Sequence, residues 1–217
     1  VSSQSVAGKV RATAAAITLL VVVQLARYGL KETIFPFVGR TDLGDRVASF
    51  VAMAVLTVVI IALARWRKVP ISFLPDRFSV SYVVFTCLFA AFLISTPLVT
   101  QDASPSSVFL LLYSGIVVPV FEETLFRGVL WNYLSGAFHR QLTVYVVVTV
   151  LFALWHLGYV DTLAFHTGAS GDRLANIMMW KSVTGLYFGV VLGALRLKTR
   201  NCYSTMLLHG ALNVFAG

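Results

Sequence analysis

The feature that most constrains the fold is a series of seven apolar runs, several near twenty residues long, separated by short polar breaks. They fall at residues 12–26, 47–64, 79–99, 108–134, 142–157, 174–195 and 203–215. A helix of about twenty apolar residues spans a hydrocarbon core roughly 30 Å thick. Only 12% of the 217 residues are charged, against roughly 25% in an ordinary soluble domain. Mean hydropathy is +0.84. The pattern predicts an all-α, polytopic transmembrane bundle of about seven spans, with an eighth, interfacial helix as the variant count. One integral-membrane domain over residues 1–217 is expected, with the chemistry in its 108–217 half.

The breaks refine this picture. Residues 1–11 are polar and expected to fray. The first run ends in Arg27 and Lys31 rather than a small-residue cleavage site, so it reads as a retained span. Loops are expected over 28–46 and 158–172. Gly185, Gly189 and Gly193 recur at four-residue spacing, a stripe that lets helix backbones approach closely. The net charge of +8 points to anionic lipid headgroups, not to nucleic acid. Lys9, Arg11, Arg65, Arg67, Lys68, Arg77, Arg140, Arg196, Lys198 and Arg200 gather on one face. By the positive-inside rule this places a multi-pass protein in the cell membrane with a cytoplasmic N-terminus. The two cysteines, Cys87 and Cys202, form no framework.

Against this background the stretch VVPVFEETLFR at 117–127 stands out. A charge at the centre of a lipid-embedded helix costs about 2.5–3.5 kcal/mol on insertion scales. Glu122, Glu123 and Arg127 all lie there. Glu123 and Arg127 share a helical face; Glu122 projects about 100° away. Pro119 removes a backbone donor beside them, so the helix is expected to kink and either free a carbonyl or admit water. Phe152 and His156, and His209 with Asn213, repeat the four-residue spacing on two other helices. A carboxylate and a neutral imidazole can take the proton of a water. A second imidazole and an amide can donate to a developing oxyanion. Glu122, His156 and His209 are also a plausible zinc set with an open position, although no HExxH is present. Structural readings stand beside these: an intrahelical ion pair for Glu123 and Arg127, an interfacial His156, an interhelical bond for His209 and Asn213. His139 and His166 read as solvated.

These residues resemble a known family. EETLFR at 122–127 matches the EExxxR motif of the CPBP family, the CAAX proteases and bacteriocin-processing (Abi) enzymes. FALWH at 152–156 matches its FxxxH motif, and HGALN at 209–213 its HxxxN motif. The resemblance covers about residues 119–215. It implies a glutamate-dependent intramembrane endopeptidase with its site inside the bundle. Glu122 and His156 would activate water, His209 and Asn213 would form the oxyanion hole, and Glu123 and Arg127 would support them. No cofactor is expected, zinc being the alternative. Partners would be the bilayer and a peptide or membrane-protein substrate, lipidated or not. Peptide maturation, bacteriocin immunity or membrane-protein processing are the implied roles. Two rivals remain: a peptide-binding membrane scaffold that does not cut, and a proton-coupled transporter, against which the lack of an internal repeat counts.

Overall fold

The computed structural model describes residues 6–216, so the expected fraying of residues 1–5 lies outside the described residues. Val6 onward is already helical. Seven helical rods follow: α1 (Val6–Val38), α2 (Asp42–Trp66), α3 (Val80–Val99), α4 (Pro105–Ala137), α5 (Gln141–Thr167), α6 (Gly171–Thr199) and α7 (Cys202–Ala216). The described residues contain no strand. Six rods are long and apolar enough to cross a membrane. The last, α7, has 15 residues and is about 22 Å long, short of a full crossing. The chain is an all-α, polytopic, multi-pass membrane bundle.

Two loop expectations are corrected. α1 continues to Val38 through Pro36, because the proline sits close enough to the end that few bonds are lost. α5 continues to Thr167 after a single 3-10 turn at His156–Tyr159. Arg27 and Lys31, expected at a membrane edge, therefore lie inside a helix, and each is 1% exposed. They persist there because they are paired. Arg27 bonds Asp161 at 2.7 Å, and Lys31 bonds Asp161 at 2.9 Å and Asp45 at 2.8 Å. His166, expected to be solvated, bridges Asp42 and Asp45 at 3.2 Å each. This network ties α1, α2 and α5 together. His139 is exposed, as expected.

The middle of α4 is the centre of the molecule. Residues 121–131 are all buried, the signature of a helix enclosed on every side. Phe121, Leu125, Phe126 and Leu130 meet Val148, Leu151, Phe152 and Trp155 in one apolar core. α1 and α2 form a hairpin against α4, α5 pairs with α6, and α7 packs on α4 and α6. α3 differs: none of its residues is buried. The α5–α6 pair uses the glycine stripe as expected. A Cβ at Gly189 would stand 3.0 Å from Thr149 Cγ2, and one at Gly193 2.6 Å from the Tyr145 ring. Thr149 donates to the Gly189 carbonyl at 3.1 Å. The short α7 is set by both ends of its own start: Asn201 Oδ1 accepts from the Ser204 N–H at 3.1 Å, while Cys202 and Tyr203 donate to the Ser72 and Phe73 carbonyls.

α7 approaches α4 at Gly210, where any Cβ would collide with the Gly115 carbonyl oxygen. Gly210→Ala must therefore push two backbones apart, and is expected to cost about 1–3 kcal/mol. Gly29→Ala, with open space around it, should leave stability unchanged or raise it slightly. Thermal unfolding of the two variants in detergent makes the comparison.

Candidate active site

α4 is not a uniform helix where it carries the site. Two π turns, Tyr113–Val117 and Thr124–Leu130, flank the α-helical Val118–Glu123. In the first, the Val118 N–H reaches five residues back to the Tyr113 carbonyl. Pro119 is next in that register and has no N–H to offer Ser114. The Ser114 carbonyl instead accepts from Asn213 Nδ2 of α7, at 3.1 Å. The expected freed carbonyl is thus present, and Asn213 satisfies it. In the second π turn the Arg127 carbonyl accepts from Arg196 Nε of α6, at 3.0 Å. Irregular backbone inside a membrane persists only when protein groups take up its bonds.

The two glutamates, though 100° apart by helical geometry, converge on one imidazole. Glu123 Oε1 accepts from His209 Nδ1 at 2.9 Å and from Arg127 at 2.9 Å. Glu122 Oε2 lies 3.6 Å from His209 Nε2. All four residues are at most 1% exposed. The Arg127 guanidinium also stacks over the Phe152 ring, 4.2 Å from its centroid. Among the described residues its Nε and second terminal nitrogen have no hydrogen-bond partner, nor does Glu123 Oε2.

His156 joins the group by packing. Its Nδ1 lies 2.7 Å from the Phe152 carbonyl. A carbonyl only accepts, so Nδ1 carries the proton and the neutral ring keeps its lone pair on Nε2. Phe152 stands edge-on between the two imidazoles, 4.8 Å from His156 and 5.9 Å from His209. Gly185 of α6 lies directly under His156, and a Cβ there would come within 2.5 Å of Nδ1. Among the described residues no hydrogen bond joins His156 to either carboxylate, and Asn213 is bonded to Ser114 rather than to His209.

Two residues of the site escaped the sequence reading. Glu122 Oε1 accepts from Tyr159 Oη at 2.6 Å and from Trp155 Nε1 at 3.1 Å. The spacing of Trp155 and Tyr159 shows that they share a face. Nothing in it shows that this face meets α4.

The profile of the family described as type II CAAX prenyl endopeptidase Rce1-like matches residues 104–215. The chain belongs to this family. The match opens at α4 and takes in α5, α6 and nearly all of α7, so every side chain of the cluster lies in the Rce1-like region. The chain is also 28% identical over 103 residues to the UPF0177 protein YxdF of Lactococcus lactis subsp. lactis (strain IL1403). That alignment covers 48% of this chain and 45% of the relative, so the chain spans less than half the length of the curated relative it matches. No solved structure matches the chain.

Among the described residues no three His, Cys, Asp or Glu side chains are grouped to hold a metal ion. In the trio Glu122, His156 and His209, each imidazole bonds a protein oxygen through Nδ1, which leaves its Nε2 open to the site.

Glu123 and Arg127 are each fully buried, so removing one partner strands the other charge. Arg127→Met alone is expected to cost about 3–5 kcal/mol. The double variant Glu123→Gln, Arg127→Met should recover most of the loss, read from thermal or denaturant midpoints.

Proposed function

We propose that this Rce1-like chain is an intramembrane endopeptidase in which Glu122 is the general base. The observation that carries this is the setting of its carboxylate. It is buried in the bundle, fixed on Oε1 by two donors, and turned toward an imidazole with Oε2. A water held between Oε2 and the His156 lone pair would lose its proton to Glu122 as its oxygen attacks the peptide carbonyl. The same proton, returned from Glu122 to the leaving amine, completes the cleavage. No metal enters these steps.

His209 and Asn213 serve as the oxyanion donors in this reading. With both glutamates ionised and Arg127 and His209 cationic, the buried cluster balances at zero net charge. An imidazolium at His209 keeps one N–H on Glu123 and directs the other into the site. Asn213 spends one amide hydrogen on Ser114 and retains the second. Glu123 and Arg127 hold His209 rather than touch substrate. The substrate is a peptide or membrane-protein segment, with or without a lipid modification, that reaches the site from the bilayer. The basic residues at the ends of the spans support a cytoplasmic N-terminus for a protein of the cell membrane. Arg27, Lys31 and Arg196 drop out of that count because they are buried.

Purified protein in lipid nanodiscs, incubated with a quenched peptide library and read by mass spectrometry, tests the activity. Glu122→Gln should lower cleavage by about 10²–10⁴-fold while the thermal midpoint stays near that of the parent. Cleavage by that variant at the parental rate would sink the assignment. Prolonged treatment with 1,10-phenanthroline should leave the parental rate unchanged. A loss reversed by added zinc would instead call for a metal.

A further inference from the structure

We infer that Tyr159 is a positioning residue for Glu122 and that α1 holds it in place, so a helix outside the family-matched stretch completes the site. This rests on the reading of Glu122 as the base.

The direction of the bonds comes first. A carboxylate only accepts, so the Tyr159 hydroxyl gives its single proton to Glu122 Oε1 across 2.6 Å. The Trp155 N–H is shared between Oε1 and the Tyr159 oxygen, 3.1 Å from each. Two donors on one oxygen fix the rotation of the carboxylate. The other oxygen is left toward His209. Without them the group could turn about its last bond and spread its charge between two neighbours.

Tyr159 is itself clamped from α1. The Arg27 guanidinium lies over its ring, 4.8 Å from the centroid, a cation–π arrangement. The 3-10 turn carrying His156 and Tyr159 is held by its backbone as well. Gln24 Nε2 donates to the Trp155 carbonyl at 3.0 Å, and Arg27 donates to the Gly158 carbonyl at 2.7 Å. Gly158 has no side chain where Gln24 arrives, and any Cβ there would collide with its amide. Gln24 and Arg27 are joined to each other at 2.8 Å. An ion pair with Asp161 alone would account for the charge of Arg27. It does not account for Gln24, for the contact with the turn carbonyl, or for the stacking on Tyr159. Together these three fix the one turn that presents both His156 and Tyr159. The ionisable groups around Glu122 are then His209 on α7, Tyr113, Glu123 and Arg127 on α4, His156 and Tyr159 on α5, and Arg27 on α1.

The test uses the full chain in nanodiscs and two readouts. The first is a thermal double-mutant cycle between Tyr159→Phe and Glu122→Met, which needs no activity. Tyr159→Phe should lower the midpoint in the parent and have little effect in the E122M background. The second is cleavage of a peptide that the parent cuts. Tyr159→Phe should lower kcat about tenfold or more, with KM within about twofold, as loss of an interaction used in the chemical step does. Gln24→Leu and Arg27→Lys, which keeps the charge beside Asp161, should lower kcat in the same way by less. Tyr28→Phe, on the exposed side of α1, is the control and should change nothing. Uncoupled midpoints overturn the inference. So do coupled midpoints with kcat unmoved, which would make Tyr159 a purely structural partner. A parent that cuts no peptide overturns the protease reading instead, and the cycle alone then decides whether Tyr159 holds this carboxylate.

Discussion

A carboxylate placed among hydrocarbon has no solvent to fall back on, and each buried carboxylate here meets a basic side chain inside the same bundle. His209 is the point where this closes. It touches Glu123 through one ring nitrogen and faces Glu122 through the other. Arg127 balances Glu123 from the next turn of α4. The neutral donors Trp155 and Tyr159 complete the shell of Glu122. Four helices must stand in fixed relation for this to hold: α4 with the acids, α5 with the donors and His156, α7 with His209, and α1 behind α5. The apolar core then follows from that relation, because α4 can present Glu122 and Glu123 to different neighbours only if it is enclosed all round.

Enclosure explains the irregular course of α4. A regular helix would keep all its carbonyls to itself. The π turns on either side of the glutamate pair release the Ser114 and Arg127 carbonyls, and these become sockets for Asn213 and Arg196. The irregularity thus docks α7 and α6 onto α4 at two heights. Asn213 belongs to this docking as much as to any chemistry, which ties the oxyanion assignment to the same backbone distortion.

Much of this was legible in the sequence, for identifiable reasons. Run length announces spans, four-residue spacing puts Glu123 with Arg127, and glycines every fourth residue announce a close helix contact without naming its partner. Each of those signals lives within one helix. What escaped lives between helices. The contact of Tyr159 with Glu122 joins positions with no shared periodicity. The Arg27–Lys31–Asp161–Asp45 network was read as a basic edge because Asp161 lies 134 residues from Arg27. A signal did exist there: Gln24, Arg27 and Lys31 fall at i, i+3 and i+7, one polar stripe on an otherwise greasy helix. The helical continuation of α1 past Tyr28 and of α5 past Gly158 was obscured by glycine, proline and charge, which usually mark loops and here mark contact points.

The bare backbone of α6 beneath His156 has one more effect. A ring that rests on other side chains is cushioned, because they can shift rotamer and absorb a small displacement. Beneath this imidazole the next surface is the peptide chain itself, which has no rotamer to give. The height of His156 is therefore referenced to a main chain rather than to a cushion of neighbours. A movement of α6 along its axis would be transmitted to the ring undamped, while the loosely seated α3 could tilt with the bilayer and leave that reference untouched.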